Sequence, residues 1–532
     1  MLANVSGLLL ASLFAVAAVG SNIHRAEDGS YGGDEVDAIS AEGLARLKAW
    51  TSSNPPAGNC TLENAVIRRE WSAFSRQERL DYIDAVLCLQ KKPPTTPTSI
   101  VPGVRSRYDD FVGTQINQTL FIHSTGNFLG WHRYYVWTYE QALRNECDYK
   151  GHQPYWNWGK YALDPVNSPL FDGSDESLSG DGSYFEHTPI AVPGAPPPFD
   201  VIIPGNGGGC VTSGPFKDMV VSLGPVAGTL DGVTANPTPD GFSYNPRCLR
   251  RDISENAAVS TRTNATVSLL TTHDNIADFQ DYMQGIFAQG MLGVHGGGHF
   301  TVGGDPGGDF FASSGDPAFW LHHANVDRIW WIWQNQDLAT RQNAIAGQTH
   351  MAGDGVPTTL EDDQFFQVNE KVPKLKDLLT TLGGADGEFC YIYQYKSATI
   401  AHPPAPTSHA TRTAHREDFV PVGATGVEVG GGEDGGGELG VEVALVAGMV
   451  AWRVMVGSER LDRDIWVASA VGSGWAFGEA KNLATQPAIV AWDPTRPNRT
   501  AILARSVDFT YYQEPAVLEA ADGETGPYWT LL

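Results

Sequence analysis

Residues 316–333 read DPAFWLHHANVDRIWWIW, an aromatic-rich stretch with two adjacent histidines, His322 and His323. The Asp316-Pro317 pair predicts the start of a helix, because aspartate is a favoured N-cap and proline fits the first helical position. We expect this helix to run to about Gln334. An adjacent histidine pair in an aromatic helix more often packs in the core than binds a metal or takes part in catalysis. Whether this pair has a function therefore depends on the other histidines of the chain.

Two further segments contain histidines at close spacing. They are FIHSTGNFLGWHRYYVW (residues 121–137), with His123 and His132, and GVHGGGHF (residues 293–300), with His295 and His299. A four-residue spacing puts two imidazoles on one face of a helix, one turn apart, where both can bind one ion.

A second helix could supply the third imidazole, and His323 is the predicted source. Asp327, one turn later, could steady a ring nitrogen as an outer acceptor. Each histidine pattern alone also fits ordinary core packing, and the three glycines between His295 and His299 weaken the helix there. Because the histidine segments occur together and each lies beside an aromatic helix, we favour a metal site over ordinary packing.

Composition limits the classes of protein to which the chain can belong. Its 532 residues are too many for one ordinary domain, and a hydrophobic fraction of 42% is enough for a sizeable core. The net charge of −26 repels phosphate backbones and anionic membranes. We therefore expect no nucleic-acid partner and no membrane partner.

The N-terminal residues predict a secreted glycoprotein with disulfides. Residues 8–19 (LLLASLFAVAAV) form an apolar run that is too short for a membrane span but has the length of a secretory signal, so residues 1–20 are interpreted as a signal peptide. Six cysteines could form up to three disulfides, of which we predict only Cys210–Cys248. The glycosylation sequons lie at Asn59, Asn117, Asn264 and Asn498.

Helical patterns dominate residues 21–395, which are interpreted as one domain. Ser75 and Glu78 form an S-x-x-E capping box within residues 61–90, a segment that we interpret as a helical hairpin. Helices are also predicted over residues 128–147 and 275–288. The Gly/Pro-rich residues 164–247 predict long ordered loops.

The C-terminal part of the chain has a different composition. Residues 396–440, which end in GGGEDGGGELG, are interpreted as a linker. Residues 441–532 are interpreted as a small β-rich segment of unknown role. Its predicted strands lie at residues 465–468, 488–492 and 501–504.

Two aromatic segments resemble the signatures of a known family. FLGWHRYYVWTYEQAL (residues 128–143) and the 316–333 stretch are similar to the two copper motifs of the tyrosinase and catechol oxidase family, the type-3 dicopper proteins. The short secreted fungal members are most similar, over roughly residues 59–395. The resemblance implies a mainly α fold with long loops, in which a four-helix bundle holds two copper ions that act with dioxygen on a small phenol.

The family's metal ligands are carried over by position in the two motifs. The resemblance gives His322 the role of a neighbour and not of a ligand. It assigns His123 and His132 to the first copper, and His295, His299 and His323 to the second.

One position departs from the family pattern. In the short fungal members the first ligand of the first copper lies eight residues before the second, and in DDFVGTQINQT (residues 109–119) that position is Gln115. No histidine between His24 and His123 can substitute for it. Because an amide oxygen is a weak donor to cuprous copper, we expect the first site to be loose or empty.

The resemblance implies oxidation of o-diphenols to o-quinones. Gly296 follows His295 at the position where asparagine or aspartate is associated with phenol hydroxylation, so diphenol oxidation is favoured over monophenol hydroxylation. Phe121 stands where some members carry a cysteine cross-linked to a ligand. Phe310 or Phe311 could gate the pocket, with ordinary core packing as the alternative.

Two other functions stay open at this point. The chain could be a non-catalytic member that retains only the second copper and acts as a copper-binding protein. Residues 441–532 could instead be a carbohydrate-binding module on a vestigial scaffold. Gln115 is the feature that separates the first alternative from an active oxidase.

Overall fold

The computed structural model describes residues 33–192, 195–196, 201–228, 230–368 and 371–393, together with the backbone of five strands between 427 and 503. The chain divides into two units, Met1–His402 and Pro403–Leu532, and each is described by itself. The predicted signal peptide lies outside the described residues.

The described part of the first unit is rich in helices, which confirms the mainly α prediction. Its α-helices are α1 (Glu35–Ser53), α2 (Arg76–Leu89), α3 (Arg107–Ile122), α4 (Phe128–Glu146), α5 (Trp158–Tyr161), α6 (Glu255–Ala258), α7 (Thr263–Thr272), α8 (Ile276–Gln284), α9 (Gly293–Val302), α10 (Ala318–Gln336) and α11 (Leu338–Arg341). Its strands are β1 (Val66–Arg68), β2 (Gly182–Tyr184), β3 (Ile190–Ala191), β4 (Val201–Ile202), β5 (Gly208–Val211), β6 (Val220–Val221), β7 (Arg247–Cys248) and β8 (Tyr391–Tyr393).

Aromatic side chains hold α3, α4 and α10 together. Trp320 of α10 stacks on Tyr139 of α4, with ring centroids 3.7 Å apart and an interplanar angle of 3°. Phe111 of α3 meets both rings edge-on at 5.5 Å. Such pairs add to the stabilisation from burying large apolar rings, so these residues serve helix packing.

The start of α10 is fixed as the sequence predicted, with the helix beginning after Pro317. The Asp316 carboxylate accepts the backbone N–H of Ala318 at 2.8 Å. It also accepts two hydrogen bonds from the buried Arg251 guanidinium, from Nη2 at 2.7 Å and from Nε at 2.8 Å. Arg251 thereby ties the loop region 164–252 to the first turn of α10.

Asp327 anchors a buried polar network and contacts none of the histidines in the described part of the chain, so the prediction that it steadies a ring nitrogen is wrong. Its carboxylate accepts from Arg133 at 2.6 Å, Tyr393 at 2.6 Å and Tyr391 at 2.8 Å. Arg68 also donates to it, at 3.4 Å. The side chain of Asp327 is committed to these partners because two buried guanidinium groups need a counter-charge here.

The predicted helical hairpin over residues 61–90 is only half correct. Helix α2 begins with the Ser75–Glu78 capping box, as predicted. Residues 66–68 form β1 instead, which pairs in parallel with β8. This pairing brings Arg68 into the network around Asp327, a tertiary contact that overrides the local helical pattern.

Helix α1 was not predicted. It begins with a capping box in which Asp34 and Asp37 each accept a backbone N–H of the other. Asp37 also accepts from Arg328 of α10 at 2.6 Å. Helix α1 therefore packs on the back of α10.

Three disulfides close the first unit. They include the predicted Cys210–Cys248 pair, and the others are Cys60–Cys390 and Cys88–Cys147. Cys60–Cys390 joins residues 330 positions apart and lies beside the β1–β8 pair.

The second unit is described only as backbone strands. They are β9 (Val427–Glu428), β10 (Leu439–Val446), β11 (Met449–Val456), β12 (Ile489–Trp492) and β13 (Thr500–Leu503). Strand β10 pairs antiparallel with β11 and β9, and β12 pairs antiparallel with β13. The strand predicted at 465–468 lies outside the described residues, and β9 falls within the range that we interpreted as a linker. Among the described helices, none combines the length and apolarity needed to cross a bilayer.

Candidate metal centre

Three imidazoles converge from α9 and α10. The Nε2 atom of His299 lies 3.2 Å from Nε2 of His295 and 3.1 Å from Nε2 of His323. Imidazole nitrogens bound to one ion at about 2.0 Å in tetrahedral geometry lie about 3.3 Å apart. Both distances from Nε2 of His299 therefore match the spacing that a single metal ion requires.

His123 and His132 lie beside this trio, with their ring centroids 5.0 Å apart. The Nδ1 atom of His123 contacts the carbonyl oxygen of Thr119 at 2.9 Å, and that of His132 contacts the carbonyl oxygen of Phe128 at 2.8 Å. A carbonyl only accepts, so each Nδ1 carries the proton and each Nε2 keeps its lone pair. His132 Nε2 is buried and has no hydrogen-bond partner among the described residues.

The pair and the trio form one cluster. His132 stacks on His323 with centroids 4.5 Å apart, and His123 lies 6.1 Å from His295. The phenyl ring of Phe128 lies among them, 5.0 Å from both His132 and His295. The structure thus brings together all five histidines that the sequence selected.

Burial lowers the pKa of these imidazoles. The pKa of His123 falls to about 4, and that of His299 falls to about 3. Burial also holds the pKa of His132, His295 and His323 well below the ordinary value, and neighbouring histidines lower it further. The cluster is therefore neutral near pH 7, which is the state that binds metal ions.

His322 has a different partner from His323. Its Nδ1 accepts from the indole N–H of Trp158 at 3.0 Å. Its ring lies against the backbone of Gly298, where any Cβ would collide with it. Although its ring is close to that of His299, at 4.4 Å, one ring nitrogen is already used in a hydrogen bond. These contacts favour a packing role for His322.

The glycines of α9 are required by close packing. A Cβ on Gly297 would lie 2.9 Å from Cβ of Ser260. A Cβ on Gly296 would lie 3.1 Å from the carbonyl oxygen of Gln284. Each glycine costs about 1 kcal/mol of helix propensity relative to alanine, so α9 depends on its neighbours for its helical form.

Gln115 is buried and its amide is used at both ends. Its Oε1 accepts from the backbone N–H of Ser314 at 2.8 Å, and its Nε2 donates to Oγ of Ser313 at 3.0 Å. These partners belong to the 3₁₀ turn Ser313–Gly315 just before α10.

The trio of His295, His299 and His323 fits a copper ion in the number and type of its donors, whereas His123 and His132 supply only two imidazoles to a first ion.

Phe310 lies over His123, with ring centroids 4.6 Å apart, and is 38% exposed. Phe311 packs against the core behind it. Of the two phenylalanines considered in the sequence, Phe310 is the one in contact with a candidate metal ligand.

Three residues that contribute to the site were not predicted from the sequence. Trp158, which contacts His322, and Ser313, which contacts Gln115, carry no local signal. Gln284 accepts from the backbone N–H of Ser124 at 2.8 Å and so braces the turn after His123. The positive φ of Ser124, 50°, follows a helix end, which is a place where a bracing side chain could be sought.

Comparison with known proteins identifies the family. Residues 105–336 match the common central domain of tyrosinase. The chain is 40% identical over 342 residues to Tyrosinase P of Aspergillus terreus, a match that covers 64% of this chain and 94% of that protein. The chain belongs to the tyrosinase family.

Other members of the tyrosinase family agree with this placement. Tyrosinase-like protein orsC of Emericella nidulans is 44% identical over 309 residues, covering 55% of this chain and 80% of that protein. A mutant of the polyphenol oxidase from Thermothelomyces thermophila superposes with a TM-score of 0.62 at 38% identity, covering 68% of this chain and 97% of that structure.

Membership of the tyrosinase family places the chain among the type-3 copper oxidases, a family of phenol oxidase-type enzymes. Enzymes of this family act on phenolic substrates with dioxygen. The histidine cluster of α9 and α10 agrees with the copper dependence of the family.

Proposed function

We propose that this protein oxidises o-diphenols to o-quinones with dioxygen. The second copper would be held by His295, His299 and His323, and the first, more weakly, by His123 and His132. The convergence of three Nε2 atoms beside a second imidazole pair carries this proposal. Copper, when bound, supplies the redox chemistry, and the protein supplies orientation and a dry pocket.

The chain's own residues prepare the site for this task. The carbonyl groups of Thr119 and Phe128 accept hydrogen bonds from the Nδ1–H groups of His123 and His132. Each Nε2 is therefore free to bind the ion. Phe128 and Phe319 exclude water from the imidazoles, since both are buried against them. Phe310 is partly exposed above His123 and can contact the ring of a phenol.

Gly296 supports a diphenol rather than a monophenol as substrate. This position brings no polar side chain to the metal, and the backbone of Gln284 and the ring of Phe287 lie close to it. The chain therefore lacks, at this point, the asparagine or aspartate that is associated with phenol hydroxylation. We infer that a catechol, which is already dihydroxylated, is the better substrate.

Secretion is part of the proposal. Asn59, Asn117 and Asn264 are exposed, as a glycosylated residue must be, and Asn498 lies outside the described residues. Three disulfides are typical of a protein from an oxidising compartment. We propose a secreted glycoprotein.

A second function is favoured by one observation. Ser313 and Ser314 satisfy both hydrogen-bonding atoms of the Gln115 amide. This observation supports the alternative that the protein is a non-catalytic member of the family that binds only the second copper. The carbohydrate-binding alternative for residues 441–532 stays a prediction.

The test is quinone formation by the full chain with catechol, followed optically and by oxygen uptake, in buffers with graded copper. We expect activity that rises with added copper, and much less activity with tyrosine as the substrate. His323→Ala is the matched inactive control. An absence of catechol oxidation at saturating copper, with the trio loaded, would favour the non-catalytic alternative.

A further inference from the structure

We propose that Gln115 is a positioning residue for the three-imidazole site formed by His295, His299 and His323. It stands where the family places a ligand of the first copper, yet its contacts lead to the helix that carries His323. The inference rests on the proposal that this trio binds copper. It assigns Gln115 an effect on the second site rather than on the first.

A hydrogen-bonded bridge joins Gln115 of α3 to the 3₁₀ turn Ser313–Gly315. It begins at the amide of Gln115, which is 1% exposed. One amide atom accepts from Ser314 N–H and the other donates to Ser313 Oγ, so the side chain fixes both the backbone and a side chain of the 3₁₀ turn. Tyr108, two turns earlier on α3, adds a parallel link, because its hydroxyl donates to the Ser314 carbonyl at 2.9 Å.

The turn is coupled directly to the metal-binding helix. Trp320 of α10 donates to the Tyr108 hydroxyl at 3.1 Å, and Asp316 caps the helix at Ala318. Phe319, on the first turn of α10, stacks on His323 with centroids 4.2 Å apart and an interplanar angle of 29°. A shift of the turn would therefore move Phe319 and with it the ring of His323.

Helix α3 also connects Gln115 to His123, one of the two histidines assigned to the first copper. The backbone carbonyl of Gln115 accepts from Thr119 Oγ1 at 2.6 Å, and the carbonyl of Thr119 contacts His123 Nδ1. One short segment of α3 thus connects His123 with the start of α10. A side chain that joins two ligand-bearing elements by hydrogen bonds has the contacts of an outer support for a metal site, and loss of such a support typically weakens metal binding by about 10–100-fold.

The experiment compares two variants with Thr114→Ala as the control. Gln115→Ala removes both hydrogen bonds of the bridge, and Ser313→Ala removes only the one to Ser313 Oγ. Thr114 is buried on the same helix and donates only to the carbonyl of Asp110 at 2.9 Å, so its loss tests general damage to α3. Each full-length protein is loaded with one equivalent of copper for the tight site, and separately with excess copper to count a second bound ion. Cuprous affinity is measured by competition with a coloured chelator, and the cupric form is examined by electron paramagnetic resonance.

We expect about tenfold weaker binding of the tight copper in Gln115→Ala and a smaller loss in Ser313→Ala, which keeps the bond to Ser314 N–H, with an altered resonance spectrum in both. The double variant should lose little more than Gln115→Ala alone, because Gln115→Ala already removes the hydrogen bond that Ser313→Ala removes. Thr114→Ala should match wild type in affinity and spectrum.

Two results would overturn the proposal. One is an unchanged affinity and spectrum of the tight copper in the two bridge variants. The other is loss of a second bound copper in Gln115→Ala alone, which would make Gln115 a ligand. If Gln115→Ala does not fold, an unchanged affinity and spectrum of the tight copper in Ser313→Ala would by itself overturn the proposal. If wild type binds no copper, the proposed function fails instead.

Discussion

The imidazole of His132 lies face to face with that of His323, with ring centroids 4.5 Å apart and an interplanar angle of 17°. His132 belongs to α4 and His323 to α10, so one contact joins the two groups of candidate ligands. Both rings are buried and both are neutral near pH 7, because burial lowers their pKa. The two groups of candidate ligands are therefore in direct contact.

The choice between the adjacent histidines gives the first prediction. His323→Ala should lose the tightly bound copper, because two imidazoles hold an ion poorly, whereas His322→Ala should keep it. Copper per chain after dialysis, measured by atomic absorption, checks this. Retention in His323→Ala together with loss in His322→Ala would reverse the assignment within the pair.

The second prediction concerns stability. Asp327→Ala should lower the free energy of unfolding by about 3–5 kcal/mol, because Arg68 and Arg133 would lose a buried counter-charge. Denaturant unfolding of the metal-free chain measures this. Asp354→Ala is the control, since Asp354 is exposed and pairs only with His350, and it should change the value by less than about 0.5 kcal/mol. Equal effects of the two substitutions would contradict the role of Asp327.

The aromatic helices were predictable because their signals are local. The Asp316-Pro317 start, the capping box at Ser75 and the four-residue spacing of His295 and His299 all act within a few residues of the sequence. The histidine cluster was predictable for the same reason, once the family motifs were aligned with it.

Partners that are distant in sequence could not be predicted. The Gln115–Ser314 hydrogen bond spans 199 positions, and the Trp158–His322 bond spans 164. Asp327 was assigned to a histidine because its spacing on α10 allowed it, but its partners Tyr391 and Tyr393 come from a strand 64 to 66 residues away. Residues 66–68 became a strand for the same reason, since β8 is far along the chain.

The third prediction is a pH dependence at Asp181. Burial raises its pKa from the ordinary 3.8 to about 6, although the N–H groups of Ile253 and Gly182 lower it in part. The folded state therefore binds this proton more readily than the unfolded state. The ionised carboxylate lowers the free energy of unfolding increasingly from about pH 4 to pH 6, and the whole loss is present above that range.

Asp181→Asn should therefore stabilise the protein by about 1–2 kcal/mol at pH 7.5 and change little at pH 4. Asparagine keeps the oxygen that accepts from Gly182 and Ile253, so the comparison isolates the charge. Denaturant unfolding at the two pH values measures it. A gain of the same size at both would show that the charge is not the cause.

The fourth prediction is that Gln115→His raises catechol oxidation at saturating copper. An imidazole at this position would complete three nitrogen donors with His123 and His132, and occupancy of the first site should limit turnover. The same change removes two hydrogen bonds to the 313–315 turn, so the metal-free protein should lose about 1–3 kcal/mol of stability.

Quinone formation and copper content of Gln115→His and wild type are compared in the same copper-supplemented buffer. Thr114→Ala, made in parallel, reports the effect of a buried change on α3. If wild type already carries two coppers and the variant oxidises catechol no faster, then the alignment of Gln115 with the family's first ligand is mistaken.

The central claim is that the two sites differ in affinity because one has three imidazoles and the other has two. Titration of the metal-free full-length chain with cuprous copper against a coloured chelator tests it most directly. We predict one copper per chain held tightly, which His323→Ala abolishes, and a second held only at much higher free copper, which His132→Ala abolishes. Two coppers bound with equal affinity by the wild-type chain would contradict the account.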